Sequence, residues 1–452
     1  MTAIRNIYPS LLTALAALAI LAPCASAQET VEADSVDLAG VVEIPGSPSD
    51  ADIDIQVPSF IRRSANHIQL NGADWAPLRA ALEGSARRPA SIVMIGDSHI
   101  QADISSGVTR SLLQYDFGNA GRGLVSPLKM SGTNEPTDYA FESRNSWIPA
   151  KLMSQPWRQT VGFTGTSIRP SSATSEITFS TSERADDAYD PFSSVTIFHQ
   201  GKMTVNSVTS AGHSVPFRAI PSHDYTQILL ERPVNSLTVN FTSGGDLTIF
   251  GASLSADTPG VFYHAIGNNG AAYETYNRIG NVGAGIAPLS PDLVIVSLGT
   301  NEAFGRFDAQ SFTRAVDRLV TNIRQANPRA QILLTTPMEC QRSVTTTKKV
   351  QVKGKARKGR KARTRTVNRT SRTYAVNRNI APIRQAILDY GKQNGIAVYD
   401  WYDVAGGSGA STSWIDRGLF AKDRVHHSRQ GYAIEGRLLY EALMDAVRSA
   451  GN

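Results

Sequence analysis

The chain has 452 residues, 41% hydrophobic and 19% charged, with a mean hydropathy of −0.20. This excludes a disordered polyampholyte, a collagen-like repeat and a multi-span membrane protein, and two cysteines, Cys24 and Cys340, exclude a disulfide scaffold or a Cys-based zinc ribbon. The net charge of +6 is concentrated in one place: Arg342 to Arg378 holds 14 of the 45 Lys/Arg and no Asp or Glu, which leaves 31 basic against 39 acidic side chains elsewhere and argues against a generally basic nucleic-acid binder.

Residues 1–27 read as a cleavable secretory signal. Arg5 precedes the apolar run Leu11 to Leu21, and Ala25-Ser26-Ala27 offers a cleavage site near Ala27. The implied destination is the periplasm or the exterior. The run is too short to span a bilayer comfortably and no second one follows, so no transmembrane span is expected and the mature chain reads as soluble. Leu21-Ala22-Pro23-Cys24 faintly resembles a lipoprotein box, with Pro23 against it. Cleavage would leave Cys340 as the sole thiol. It follows an apolar strand, has no adjacent His, and reads as a small buried hydrophobe.

Residues 28–62 are acidic and rich in Pro, Gly and Ser, as in a linker. A short amphipathic piece, Trp75 to Leu82, precedes a strand at Ser91 to Ile95. A helix follows with Ile104, Val108 and Leu112 on one stripe and Gly118 as its stop. Residues 138–256 change character. Short β-rich runs recur there at Glu176 to Ser180, Ser194 to His199, Met203 to Val208, Ser236 to Phe241 and Leu247 to Leu254. They predict an all-β sandwich inserted as a separate module. Alternation of strand and helix then resumes. Strands are expected at Val261 to Ile266, Leu293 to Ser297, Ile332 to Thr335 and Ile396 to Tyr399. Helices follow with stripes Phe312/Val316/Leu319/Ile323, Ile380/Ile383/Ile387 and Ile434/Leu438/Met444. Five apolar strands separated by amphipathic helices imply a parallel sheet covered on both faces, an α/β fold. Active residues in such sheets sit beyond the carboxyl ends of the strands.

Four clusters occupy such places. Gly96-Asp97-Ser98-His99 follows the first strand, where a Ser can expose its hydroxyl beside backbone N–H groups; a helix-capping Ser is the plain alternative. It is not a G-x-S-x-G elbow, because Ile100 takes the second Gly position. Asn268-Asn269-Gly270 follows the second strand and offers a backbone N–H, or an ordinary turn. Gly299-Thr300-Asn301-Glu302 follows the third, where an Asn amide can donate to an oxyanion or cap a turn. Asp423-Arg424-Val425-His426 precedes the last helix, and an Asp three residues from a His can fix the imidazole tautomer. His427 is a rival base. Together the clusters supply a nucleophile, oxyanion donors, a base and an orienting acid.

In that chain order, Ser98, Gly270, Asn301 and His426 resemble the four blocks of the SGNH (GDSL-like) hydrolases, over about Asp74 to Thr137 and Pro259 to Arg448. The resemblance implies a three-layer α/β/α fold with a five-stranded parallel sheet, formed by 63–137 and 257–452. Within the superfamily, the Gly-Asp-Ser-His start and the β-rich insert at 138–256 resemble bacterial peptidoglycan O-acetylesterases. Asn119-Ala120-Gly121-Arg122-Gly123 and Gly299 to Phe304 do so too. His99, Glu302 and His427 depart from commoner residues of the wider superfamily. The resemblance implies a triad of Ser98, Asp423 and His426, and an oxyanion hole from the Ser98 and Gly270 N–H groups and the Asn301 amide. It implies no cofactor or metal, and a structural role for Asp97. The substrate implied is O-acetylated muramic acid of peptidoglycan. Rival functions are a deacetylase or acetyltransferase on another polysaccharide, and a non-catalytic glycan-binding envelope protein.

Trp147, Trp157, Phe198, His199 and Tyr225 of the insert are candidates for stacking on sugar, though aromatics in a sandwich are mostly core. The basic insert 342–378 reads as a solvated loop or hairpin tip. Emerging after the fourth strand, its segment Lys348 to Arg378 faces the active-site side. Its expected partner in an exported protein is an anionic envelope polymer or surface rather than nucleic acid.

Overall fold

The computed structural model describes residues 55–181, 191–353 and 364–450. The expected signal at 1–27 lies outside the described residues, as does most of the expected linker. Among the described residues no helix is long and apolar enough to cross a membrane.

Five strands, Ala90–Gly96, Val261–Gly267, Leu293–Ser297, Gln331–Thr335 and Ala397–Tyr399, pair in parallel as the sequence pattern requires. A sixth, Ile68–Gln69, joins antiparallel to Ala397–Tyr399 at the edge. Two residues are too short to display an alternation, so the sequence does not announce it. The central strands are apolar at successive positions because both faces are covered. Val93, Ile95, Val294, Val296 and Leu334 pack against Phe312, Val316, Leu319 and Ile323 of helix Ala309–Ala326 and against Ile383 and Ile387 of helix Ile380–Asn394. Ile92, Met94, Leu293, Ile295 and Leu333 face the opposite way, onto Leu78 and Leu82 of helix Ala76–Glu83 and Leu438 and Leu443 of helix Arg429–Ser449. Each such side chain contributes about 1.5–3 kcal/mol by burial, which is why these stripes are the strongest signal in the sequence.

Strand order decides where a site can form. Ala90–Gly96 lies between Val261–Gly267 and Leu293–Ser297. The chain therefore leaves the first strand for one neighbour and returns to the other side for the third. The crevice beyond the carboxyl ends of the first and third strands is the switch point where open α/β sheets bind ligands.

Among the described residues the insert supplies two antiparallel sheets, one of five strands and one of six that a seventh strand from outside the insert extends. Phe141, Ile177, Phe179 and Phe241 of one meet Val195, Ile197, Ile228 and Ile249 of the other in one core. The insert is joined to the sheet that it interrupts. Gly123–Val125, which precedes the insert, pairs with Thr248–Ser255. Leu152, Phe163 and Phe198 share the apolar core of Val93 and Ile95. A buried ion network ties the same boundary. Arg110 and Arg122 each contact both Asp103 and Asp138, at 2.5–3.0 Å, and both Arg side chains are almost fully buried. Burial lowers the Arg122 pKa and the two carboxylates more than offset this, so the guanidinium is held charged. The five aromatic candidates of the insert are buried or half-buried. Phe198 and His199 are buried, and Trp147, Trp157 and Tyr225 pack partly against the cores.

Of the two expected forms, solvated loop or hairpin tip, the described part of the basic segment follows the hairpin. Gln341–Lys353 pairs antiparallel with Thr364–Val376 in a two-stranded ribbon. Thr and Val between the cations supply the strand preference that charge counting hides.

Candidate active site

Glycines let the first turn close on the sheet. A Cβ at Gly96 would lie 2.3 Å from Ile100 Cγ1, and one at Gly267 would lie 2.1 Å from the Gln101 nitrogen. With neither present, the short turn Ser98–Gln101 packs over the first two strand ends. Asp97 caps this turn by accepting from the His99 N–H at 2.9 Å. Ser98 is its first residue, where a backbone N–H has no intrahelical acceptor.

The last helix brings His426 to the turn. Ser428 caps it by accepting from the Gly431 N–H, and His426 sits just before that cap. The His426 Nε2 lies 2.7 Å from Ser98 Oγ, and its Nδ1 lies 2.6 Å from Asp423 Oδ2. Asp423 is itself held: its Oδ1 accepts from the N–H groups of Val425 at 2.9 Å and His426 at 3.0 Å. Burial lowers the His426 pKa, but the hydrogen bond and charge of Asp423 overcome it and leave the imidazole above its ordinary value. Asp423 moves the other way. Burial raises its pKa, and His426 with the two N–H donors brings it below the usual carboxylate value.

His427 does not compete for Ser98. Its ring is 1% exposed and packs among Trp414, Phe420 and Tyr432, with Nδ1 3.4 Å from Glu435 Oε2. The His99 ring lies tilted beside that of His426 and edge-on to that of His427, its Nδ1 3.2 Å from the Tyr432 hydroxyl. Burial, then the two neighbouring imidazoles, holds it well below the ordinary histidine value. Cys340 is buried, and burial pushes its thiol up to about 12, so it is a poor nucleophile.

Asn301 and Gly270 come to the same crevice. The Asn301 Nδ2 donates to Ala271 O at 2.9 Å and to Asp97 Oδ2 at 3.2 Å. Donation to an oxyanion therefore means releasing one of these, and the longer bond to Asp97 is the weaker. Burial pushes the Asp97 carboxyl up to about 7, against the opposing pull of the His99 N–H and the His426 charge. Gly270 has φ +79°, and a Cβ there would stand 3.3 Å from Met153 Cε of the insert. A side chain at Gly270 would thus be strained and would crowd the insert's edge.

Three contributions escaped the sequence reading. The Gln101 Oε1 accepts from the Asn269 N–H at 2.7 Å, which ties the Ser turn to the Gly turn. The Tyr276 hydroxyl donates to Gly96 O at 2.7 Å and accepts from Asn268 Nδ2 at 2.9 Å. Met153, nearly half exposed, overhangs Gly270. Only Gln101, three residues after Ser98 on the turn, lay close enough in sequence to be suspected.

The GDSL-like lipase/acylhydrolase family model matches residues 235–434. That span holds Gly270, Asn301, Asp423 and His426 and does not include Ser98. A solved structure of a peptidoglycan O-acetylesterase in action matches at 22% identity, covering 85% of this chain and 99% of that one, with a TM-score of 0.64. A lipase/acylhydrolase from Enterococcus faecalis matches at 16% identity over 42% of this chain and 78% of that one, TM-score 0.28. A carbohydrate esterase family 3 protein from Talaromyces cellulolyticus matches at 16% identity over 43% and 74%, TM-score 0.28. A search of curated proteins returned no match. Residues 235–434 thus match the GDSL-like lipase/acylhydrolase family, and the fold of the chain resembles that of the solved peptidoglycan O-acetylesterase structure.

Proposed function

We propose that the protein is an exported serine esterase that removes O-acetyl groups from peptidoglycan muramic acid. The observation that carries the reading is His426 bridging Ser98 Oγ and Asp423 at 2.7 and 2.6 Å. Ser98 Oγ attacks the acetyl carbonyl as His426 Nε2 takes its proton, and Asp423 supports the imidazolium. The tetrahedral oxyanion is held by the N–H groups of Ser98 and Gly270 and the Asn301 amide. Collapse expels the sugar alkoxide, which takes the proton from His426. Water, deprotonated by His426, then attacks the acetyl-Ser98 ester, and a second collapse releases acetate and restores Ser98. A raised His426 pKa suits the acid half of this cycle, in which the imidazolium must hold a proton until the leaving group needs it.

Peptidoglycan is favoured as the polymer by the likeness to peptidoglycan O-acetylesterase across hydrolase and insert together. Met153 over Gly270 makes the insert a wall of the crevice. The test is acetate release from O-acetylated and de-O-acetylated peptidoglycan, with a chromogenic acetyl ester as control. Release from the first only, lost in Ser98→Ala, is expected. Hydrolysis of the small ester with no release from O-acetylated peptidoglycan would overturn the substrate. Product analysis on other acetylated polysaccharides would then find the proper one.

A further inference from the structure

The ribbon Gln341–Lys353/Thr364–Val376 has two unequal faces. In an antiparallel pair, residues directly opposite share a face, and the face alternates along each strand. Register therefore places Arg342, Lys348, Arg365 and Arg369 together on one face, with Val344, Val350, Val352 and Val367 between them. By register Lys349, Lys353 and Arg372 fall on the other face, with threonines and Tyr374. On the first face Lys348 stands directly opposite Arg369, an arrangement that destabilises a free ribbon. Val344 and Val352 are 38% and 40% exposed. A two-stranded ribbon without a covering layer is itself marginal in water. At 13 residues per strand it is about 40 Å long.

Its root is joined to the catalytic loop. The Gln341 N–H donates to Arg424 O at 3.0 Å. The Arg424 Nη1 donates to Gln341 Oε1 at 2.9 Å. The Arg424 guanidinium also lies 4.2 Å from the centre of the Tyr374 ring. Arg424 follows Asp423, and its φ of +62° makes the bend between the acid and His426. The ribbon thus starts at the loop that holds the base.

We propose that the Arg342/Lys348/Arg365/Arg369 face is the docking surface for the carboxylate-bearing glycan polymer that carries the ester. Its root then holds that polymer beside Ser98 and His426. The proposal rests on the polymer esterase reading above. Cations spaced along an extended ribbon match an extended polyanion. An anion between Lys348 and Arg369 removes their repulsion. Valines interleaved with the cations on one face cannot enter lipid without taking the charges along, which disfavours a membrane as the occupant.

The experiment is co-sedimentation with purified O-acetylated sacculi at low and high salt. It uses the Ser98→Ala background, so that binding is read without turnover. The triple variant Lys348→Gln/Arg365→Gln/Arg369→Gln is compared with the double variant Lys349→Gln/Arg372→Gln. Anionic phosphatidylglycerol vesicles form a parallel arm, and a melting curve of each variant checks folding. The triple variant is expected to bind sacculi about tenfold more weakly or worse at low salt, with a flattened salt dependence. The double variant should lose less. In the active background, the ratio of polymer to small-ester kcat/KM should fall in the triple variant. Pelleting of the triple variant equal to that of the parent at every salt concentration overturns the proposal. So does a loss confined to vesicles. If the wild type releases no acetate from sacculi yet binds them through this face, the substrate reading fails and the docking surface stands.

Discussion

Replacing Asp423 by Asn tests the triad through its hydrogen bonds. The Asp423 Oδ1 accepts from two backbone N–H groups, at 2.9 and 3.0 Å, while its Oδ2 faces His426 Nδ1 at 2.6 Å. An Asn in this place must turn its carbonyl oxygen toward the two N–H donors, so its NH2 faces Nδ1. The imidazole then accepts at Nδ1 and carries its proton on Nε2, pointing at Ser98. That tautomer cannot serve as a base. The expected loss in kcat is ~10⁴-fold, about 5.5 kcal/mol, the scale seen where a triad acid becomes its amide. Asp423→Ala leaves both tautomers open, so it should cost no more than Asp423→Asn. The pH profile supplies a second reading. In the wild type, the acid limb of kcat/KM should lie above the ordinary histidine value of 6.5, because Asp423 outweighs burial. In Asp423→Ala only burial and weaker charges remain, and the limb should move down. Steady-state hydrolysis of a chromogenic acetyl ester from pH 5 to 9 measures both. Asp423→Asn within about tenfold of wild type, with an unmoved acid limb, would refute the assignment.

Further outcomes follow from other contacts. Ser98→Ala and His426→Ala should each nearly abolish hydrolysis, whereas His427→Ala should lower stability more than kcat, since its ring is core; the reverse ranking would move the base. Asn301→Ala should cost kcat roughly 3 kcal/mol, with KM little changed, and an unchanged kcat would remove it from the oxyanion site. Asp138→Ala leaves buried Arg110 and Arg122 sharing the single carboxylate of Asp103 in this network and should destabilise the fold by about 3–5 kcal/mol in urea titrations; a loss below about 1 kcal/mol would mean that the network is not stabilising. Glu302 is half-buried, and desolvation of its carboxyl pushes it up to about 7 from 4.5, so the folded state holds the proton more tightly than the unfolded chain. The stability this contributes is fully present below pH 4.5 and lost as pH rises through about 7. Glu302→Gln escapes that loss, so its stability relative to wild type should improve by about 3 kcal/mol between pH 4.5 and 8; a difference independent of pH would contradict it.

The parallel sheet was legible because Ile92 to Ile95, Leu293 to Val296 and Ile332 to Leu334 are unbroken apolar runs, and their helices carry clean stripes. The site clusters were legible because the fold places strand ends at one edge, so residues far apart in sequence announce themselves locally. Contacts between clusters were not. Asp97 with Asn301, and Gln101 with Asn269, join positions 204 and 168 residues apart, and no local pattern encodes them. Strands Trp147–Lys151 and Thr166–Pro170 of the insert contain prolines and cations that break the alternation. Arg122 looked like part of a motif; its role, neutralising two buried carboxylates, needed Asp103 and Asp138 in view. In the basic ribbon, charge masked a β pattern carried by Thr and Val.

The central claim is that Ser98 becomes acetylated. Rapid acid quench of the wild-type protein with a chromogenic acetyl ester, followed by peptide mass spectrometry, reads this directly. One acetyl group on the peptide that contains Ser98, chasing away as turnover proceeds and absent in Ser98→Ala, is the predicted result. An acetyl group on a different residue, or near-wild-type turnover by Ser98→Ala, would contradict the account.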